Sequence, residues 1–323
     1  MPSPPQAWII SPSAVRPRGP AAQPRGPAVL DHLNTPPAQP TRVVVLGAAG
    51  FVGGATKAAF EAEGTSVLGL GRAEIDLLSD DAADALAARL KATDTLVAVS
   101  AEAPCKDGAM LERNIRMMRS VTDALARVQP AHVVYVSSDA VYADSNLPLT
   151  ETSCAEPGSL HGVMHLAREL MLKDAVKGPL AILRPTLIYG AGDPHNGYGP
   201  NRFRRLAAAG EDIVLFGEGE ERRDHVDVRD VAELIRLIAW NQSSGVLNAA
   251  TGTVTSFRGI ADMVAALAVR KVAVTGSPRR GLMPHGGYRP FDPRATLAAF
   301  PGFAYTALAE GLARAQQETM ETA

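Results

Sequence analysis

His161 and His165 stand four residues apart in the stretch Leu160-His161-Gly162-Val163-Met164-His165-Leu166-Ala167-Arg168-Glu169. A helix puts residues i and i+4 on one face, so the two imidazoles would act at one place. Imidazole, with an ordinary pKa of about 6.5, is a competent acid or base at neutral pH. Earlier in the chain, Ser137-Ser138-Asp139 closes an apolar run with hydroxyls and a carboxylate. A hydroxyl at that place can hydrogen-bond a substrate oxygen, or simply cap a turn. Further upstream, Gly47, Gly50 and Gly53 frame Phe51 and Val52 between an apolar run and a helical stretch. Glycines there let peptide N–H groups approach a pyrophosphate at the positive end of a helix. Two histidines at this spacing also suit a metal. No Glu lies between them and no third ligand is nearby, so no metal site is expected.

The elements that must position these groups alternate. Apolar, β-branched runs at 43–46, 66–70, 95–99, 132–137 and 180–183 read as strands buried on both faces. Helical patterns at 51–63, 80–91, 111–128 and 160–176 separate them. Alternation of this kind predicts an α/β fold with a doubly wound parallel sheet of the Rossmann kind. After Pro185 the loops become rich in Gly, Asn and Pro. Helices at 202–209, 228–240 and 256–267, strands at 213–216 and 246–249, and a helix-rich tail from 291 to 317 follow. The expected division is a dinucleotide-binding domain over 42–185 and a smaller substrate lobe over 186–323, with some segments of that lobe returning to the first sheet.

Residues 1–41 differ in texture. The first forty hold eleven of the chain's 24 prolines and repeat Pro-Arg-Gly-Pro-Ala at 17–21 and 24–28. Such a segment buries too little apolar surface to offset its ordering entropy and is expected to be disordered. The formal charge of −2 offers no basic field for nucleic acid. Cys105 and Cys154 make no disulfide framework. No apolar run approaches the roughly 20 residues that span a bilayer. A soluble, cytoplasmic protein acting on a small molecule is expected.

The glycine spacing, the strand ending in Ser-Ser-x-x-Val-Tyr (Ser137 to Tyr142) and the segment Arg184-Pro185-Thr186-Leu187-Ile188-Tyr189-Gly190-Ala191-Gly192-Asp193 resemble the extended short-chain dehydrogenase/reductase family. The resemblance runs from Arg42 through nearly all the rest of the chain. It is nearest to that family's NAD-dependent epimerases and dehydratases of nucleotide sugars. It implies that Asp76, Leu77, Ser100, Ala101, Asn114 and Pro185 line or support the cofactor. Where an NAD enzyme places an acid after the second strand, this chain has Gly71-Arg72. That leans towards the 2′-phosphate of NADP over NAD, unless Arg72 is a solvated surface residue.

The resemblance makes Ser138 the catalytic hydroxyl and puts Asp139 where sugar dehydratases carry an acid. Their next residue, a glutamate, is Ala140 here. The family's Tyr-x-x-x-Lys pair falls on His161 and His165. His161 is then a base or proton relay, a binding residue, or the mark of a degenerate site. His165 is read as a ribose contact more than a catalyst. The stretch Gly217-Glu218-Gly219-Glu220-Glu221-Arg222-Arg223-Asp224 resembles the part of nucleotide-sugar enzymes whose arginine holds the diphosphate. Arg223 is that candidate, unless it is bound up by Asp224 or Asp227. Arg289 is a second, and Asp230 is expected to cap the helix after it. Asn201 and Arg202, at a helix start, are candidates for an anionic substrate group. The expected reaction is NAD(P)-dependent epimerisation or keto-reduction of a nucleotide-sugar carbinol. The rivals are reduction of a non-nucleotide carbonyl and a dinucleotide-binding regulator without turnover. The resemblance also implies a homodimer, for which this sequence carries no decisive signature.

Overall fold

A computed structural model describes residues 29–321. In chain order the elements are β1 (Leu30–His32), β2 (Val43–Leu46), α1 (Phe51–Ala62), β3 (Val67–Leu70), α2 (Ala82–Arg89), β4 (Thr95–Ala98), α3 (Gly108–Leu125), β5 (His132–Val136), α4 (Leu160–Ala175) and β6 (Leu180–Pro185). Then come β7 (Leu187–Tyr189), α5 (Pro200–Ala209), β8 (Ile213–Phe216), β9 (Arg222–Asp227), α6 (Val228–Trp240) and β10 (Ser243–Ala249). The chain closes with β11 (Val254–Ser256), α7 (Phe257–Ala266), β12 (Val274–Ser277), β13 (Tyr288–Arg289), α8 (Arg294–Ala299) and α9 (Leu308–Glu321).

Seven strands form the main sheet in the order β1-β10-β6-β5-β4-β2-β3, all parallel except β1. Alternate residues of each strand feed opposite faces. Val43 and Val45 pack with Phe60 of α1 and Val231, Leu234 and Ile238 of α6. Val44 and Leu46 pack with Leu86 of α2, Met118 and Val121 of α3 and Leu172 of α4. With both faces covered, the strands have to be apolar throughout. The chain turns outward to β3 on one side of β2 and to β4 on the other. That reversal is the switch point where open α/β sheets leave a crevice at their carboxyl ends.

The second half builds a smaller layer over that crevice. Strand β9 pairs with β11, β13 and β7, and β8 pairs with β12. Phe203, Ile213, Leu215, Phe257, Ile260 and Leu312 form its own core. Strand β10 returns to the main sheet beside β6.

Two expectations need correcting. Residues 29–41 do not continue a disordered segment, because Leu30–His32 adds an antiparallel strand to β10. Leu30 is buried in the core there, and the His32 ring is held by Ser243 Oγ at 2.8 Å and the Ala299 carbonyl at 3.1 Å. Proline content therefore misjudged the segment's end; residues 1–28 lie outside the described residues. Asp230 does not cap α6. Asp227 does, accepting from the Arg229 N–H at 2.8 Å, while Asp230 accepts from the backbone and hydroxyl of Thr306.

Candidate active site

A cleft of about 1070 Å³ runs from the glycine loop, past the end of β5, to the substrate layer. At its first end, Gly47 has φ +97°, and a Cβ there would lie 2.8 Å from the Ser100 nitrogen. A Cβ on Gly53 would lie 2.0 Å from the Gly47 carbonyl oxygen. Loop and helix therefore touch backbone to backbone, which only glycine permits. Helix α1 begins after Gly50 with no side-chain cap. Its first-turn N–H groups, on Phe51, Val52 and Gly53 along the cleft, are left for an anion. This cradle fits a dinucleotide pyrophosphate.

Ser100, Ala101, Asp76, Leu77, Arg72 and Pro185 also line the cleft. The Arg72 side chain is 80% exposed and reaches Asp76 only at 3.5 Å. Glu74, the nearest acid after β3, turns back to accept the Gly71 N–H at 2.7 Å. Asn114 does not border the cleft. It is buried, and it clamps the wall by accepting the Glu102 N–H and donating to the Glu102 carbonyl, each at 3.0 Å.

The middle of the cleft brings Ser138, Asp139, His161 and His165 together. Ser138, two residues past β5, accepts the Ala140 N–H at 3.1 Å, opening a tight turn over 139–141. Helix α4 is capped by Ser159, whose Oγ accepts the Gly162 N–H at 3.2 Å. A Cβ on Gly162 would sit 2.0 Å from the Ala140 carbonyl oxygen. That glycine lets α4 rest on the Ser138 turn and sets His161 beside it. The His161 and His165 rings meet edge to face, 4.7 Å apart between centroids. Burial lowers the pKa of His161 below the ordinary imidazole value; Asp139 opposes the shift and His195, which also borders the cleft, adds to it. Burial lowers His165 much further. Both rings are therefore neutral at physiological pH, the state a proton acceptor needs.

At the far end stand Arg223 and Arg289, both buried. Arg223 is held by Glu221 through two hydrogen bonds of 2.9 and 2.6 Å, and not by Asp224 or Asp227. Asp224 instead gathers the Thr186 hydroxyl and the Thr251 and Gly252 N–H groups. Arg289 donates to the Asp139 carboxylate at 3.1 Å and to Asp144 at 2.9 Å, tying the substrate layer to the Ser138 turn. Arg279 and His285 join this end. Sequence reasoning passed over both, because a loop of Gly, Pro and Arg carries no period to place them.

Asn201 and Arg202 are not brought to the cleft. Helix α5 starts at Pro200, and Asn201 turns inward to accept the Gly190 N–H at 3.1 Å. Arg202 is exposed to solvent. Among the described residues no helix is long and apolar enough to cross a membrane.

Known proteins share this fold. The protein MoeE5, solved with UDP-glucose and NAD, is 24% identical, covers 87% of this chain and 99% of its own, and superposes with a TM-score of 0.73. The UDP-glucose 4-epimerase of Thermus thermophilus, solved with NAD, is 21% identical over 87% of this chain and 100% of its own, with a TM-score of 0.76. That of Thermotoga maritima, solved with UDP-glucose, is 19% identical over 87% and 99%, also with a TM-score of 0.76. At these identities the likeness establishes the fold. The profile of the NAD dependent epimerase/dehydratase family matches residues 43–250. The chain belongs to that family, whose members are enzymes of the extended short-chain dehydrogenase/reductase type.

Proposed function

We propose that this enzyme epimerises, or reduces a keto form of, a nucleotide-sugar carbinol with a nicotinamide dinucleotide. One observation carries the reading: a single cleft joins the glycine cradle, the Ser138–His161 pair and the Arg223–Arg289 end. The dinucleotide, when bound, takes up and returns the hydride. The chain does the rest. Gly47 to Gly53 hold the pyrophosphate. Ser138 donates a hydrogen bond to the reacting oxygen. His161, neutral and lining the same cleft as Ser138, takes that oxygen's proton and gives it back through Nδ1, which the Cys105 N–H approaches only at 3.4 Å. Arg223 holds the substrate diphosphate with its planar fork once Glu221 yields it. Asp139 keeps Arg289 in place.

MoeE5 and the Thermus thermophilus epimerase were solved with NAD, which supports NAD here. The exposure of Arg72, with its loose hold on Asp76, supports NADP as the finer alternative. The Glu221 clasp on Arg223 favours a second reading, reduction of a non-nucleotide carbonyl that needs no diphosphate anchor. The deciding experiment incubates the purified protein with NAD or NADP and a panel of nucleotide sugars, and follows sugar inversion by NMR. Arg223→Ala should raise the KM for the nucleotide sugar about tenfold or more, the loss of one charged hydrogen-bonded contact. Failure of every nucleoside diphosphate to bind would leave the non-nucleotide reading.

A further inference from the structure

Tyr135 lies in the middle of β5, where its neighbours Val133, Val134 and Val136 are apolar, and it is buried. Its hydroxyl lies 2.9 Å from Nδ1 of His165. Among the described residues this is the hydroxyl's only hydrogen-bond partner. We propose that Tyr135 is a positioning residue: it donates to His165 Nδ1, fixes the imidazole proton on Nε2, and so turns an N–H donor towards the ribose end of the dinucleotide.

The direction of the bond follows from accounting for the protons. If Nδ1 carried the hydrogen and donated it, the phenolic proton would be buried with no acceptor. An unmade buried hydrogen bond costs more than a made one contributes, so the phenol donates and Nδ1 accepts. A neutral imidazole that accepts at Nδ1 has its proton on Nε2. Burial raises the Tyr135 pKa to about 12, which keeps the donor intact. Protonation of His165 is opposed by burial, by the His161 ring one turn away, and by Arg168. The Arg168 guanidinium sits 5.5 Å over the Tyr135 ring, and its Nη2 donates to the Ser100 carbonyl at 2.5 Å. No carboxylate pairs with Arg168 among the described residues. A charged His165 would thus lie beside an uncancelled cation.

The ring's other edge is placed for use. His165 borders the cleft, and its Nε2 has no hydrogen-bond partner among the described residues. The outcome is a neutral N–H donor where the family's pattern has an ammonium. The inference rests on the proposed dinucleotide function for its ligand, but not for the tautomer itself.

The test is a nitrogen-15 NMR spectrum of the histidine-labelled protein without ligand, with His165 assigned by the loss of its signals in H165Q. The expected spectrum shows the Nε2–H tautomer through the neutral range. In Y135F the ring should become a mixture of tautomers, and the NAD dissociation constant should rise about fivefold to tenfold, the scale of one hydrogen bond. Should Y135F fail to fold, His165 variants replace it. H165Q, whose amide keeps a donor, should bind NAD within about threefold of wild type, and H165L about tenfold more weakly. A proton on Nδ1 in the wild type, an unchanged spectrum and affinity in Y135F, or equal affinities for H165Q and H165L would overturn the proposal. Loss of all dinucleotide binding by the wild type would instead sink the functional reading, and the unliganded spectrum would still decide the tautomer.

Discussion

Glu169 of α4 grips Arg184 of β6 with two hydrogen bonds, 2.9 Å from Nε to Oε1 and 2.6 Å from Nη2 to Oε2, and both side chains are buried. Ser137 donates to the same Oε1 at 2.6 Å. The helix with both histidines, the segment that leaves β5 towards Ser138, and β6 thus meet at one carboxylate. Glu169→Ala leaves a buried guanidinium without its counter-charge. Removing one partner of such a pair costs about 3–5 kcal/mol. Urea denaturation should show a loss of that size, whereas a loss below about 1 kcal/mol is what an exposed pair gives.

His161→Ala should lower kcat at least about a hundredfold, the range for removal of a general base, with little change in KM. The wild-type kcat needs the neutral ring. Because burial lowers the His161 pKa, activity should hold through neutral pH and fall only below about 6.5. A kcat profile whose acid limb lies at or above that value would exclude His161 as the base.

Arg72→Ala separates the two cofactors. If the exposed guanidinium meets a 2′-phosphate, NADP affinity should fall about tenfold or more, the scale of a charged contact, while NAD affinity barely moves. Titration of both dinucleotides by fluorescence decides it. Equal losses would show that Arg72 reads no phosphate.

Stability should depend on pH through buried histidines, His132 and His225 among them beside His165. Burial lowers His132 to about 4 and His225 to about 3, while both return to about 6.5 when unfolded. Between those values the unfolded chain holds more protons. Stability is therefore full above about pH 6.5 and is lost as pH falls towards the folded values. Each ring adds a slope of up to about 1.4 kcal/mol per pH unit. His225 meets Phe257 edge to face at 5.8 Å, so His225→Phe keeps an aromatic ring there. It should remove up to about 1.4 kcal/mol per pH unit from the slope measured between about pH 5 and about pH 7. An unchanged slope would mean that His225 takes up no proton on unfolding.

The main sheet and α4 were legible because their signals are local: an unbroken apolar run for a strand buried on both faces, and i, i+4 spacing for a helix face. The glycine loop was legible because its backbone contacts exclude any side chain. Strand β1 was not, since three residues after a proline-rich stretch carry no pattern, and only β10 gives Leu30 somewhere to be buried. Short strands β7, β11 and β13 were missed for the same reason. Asn201 and Arg202 misled because a helix-start motif says nothing about which way its side chains turn. The one signal for Tyr135 was its hydroxyl among valines, since a buried phenol needs a partner. His165, the partner it finds, lies thirty residues away.

Strand β1 covers the outer side of β10 by antiparallel pairing. If the chain were cut back to Arg42 on the view that everything before it is a tail, β10 would offer a bare row of amides and carbonyls to solvent. Such a margin invites a neighbouring molecule to dock as an extra strand, so the shortened protein should clump where the longer one stays dispersed.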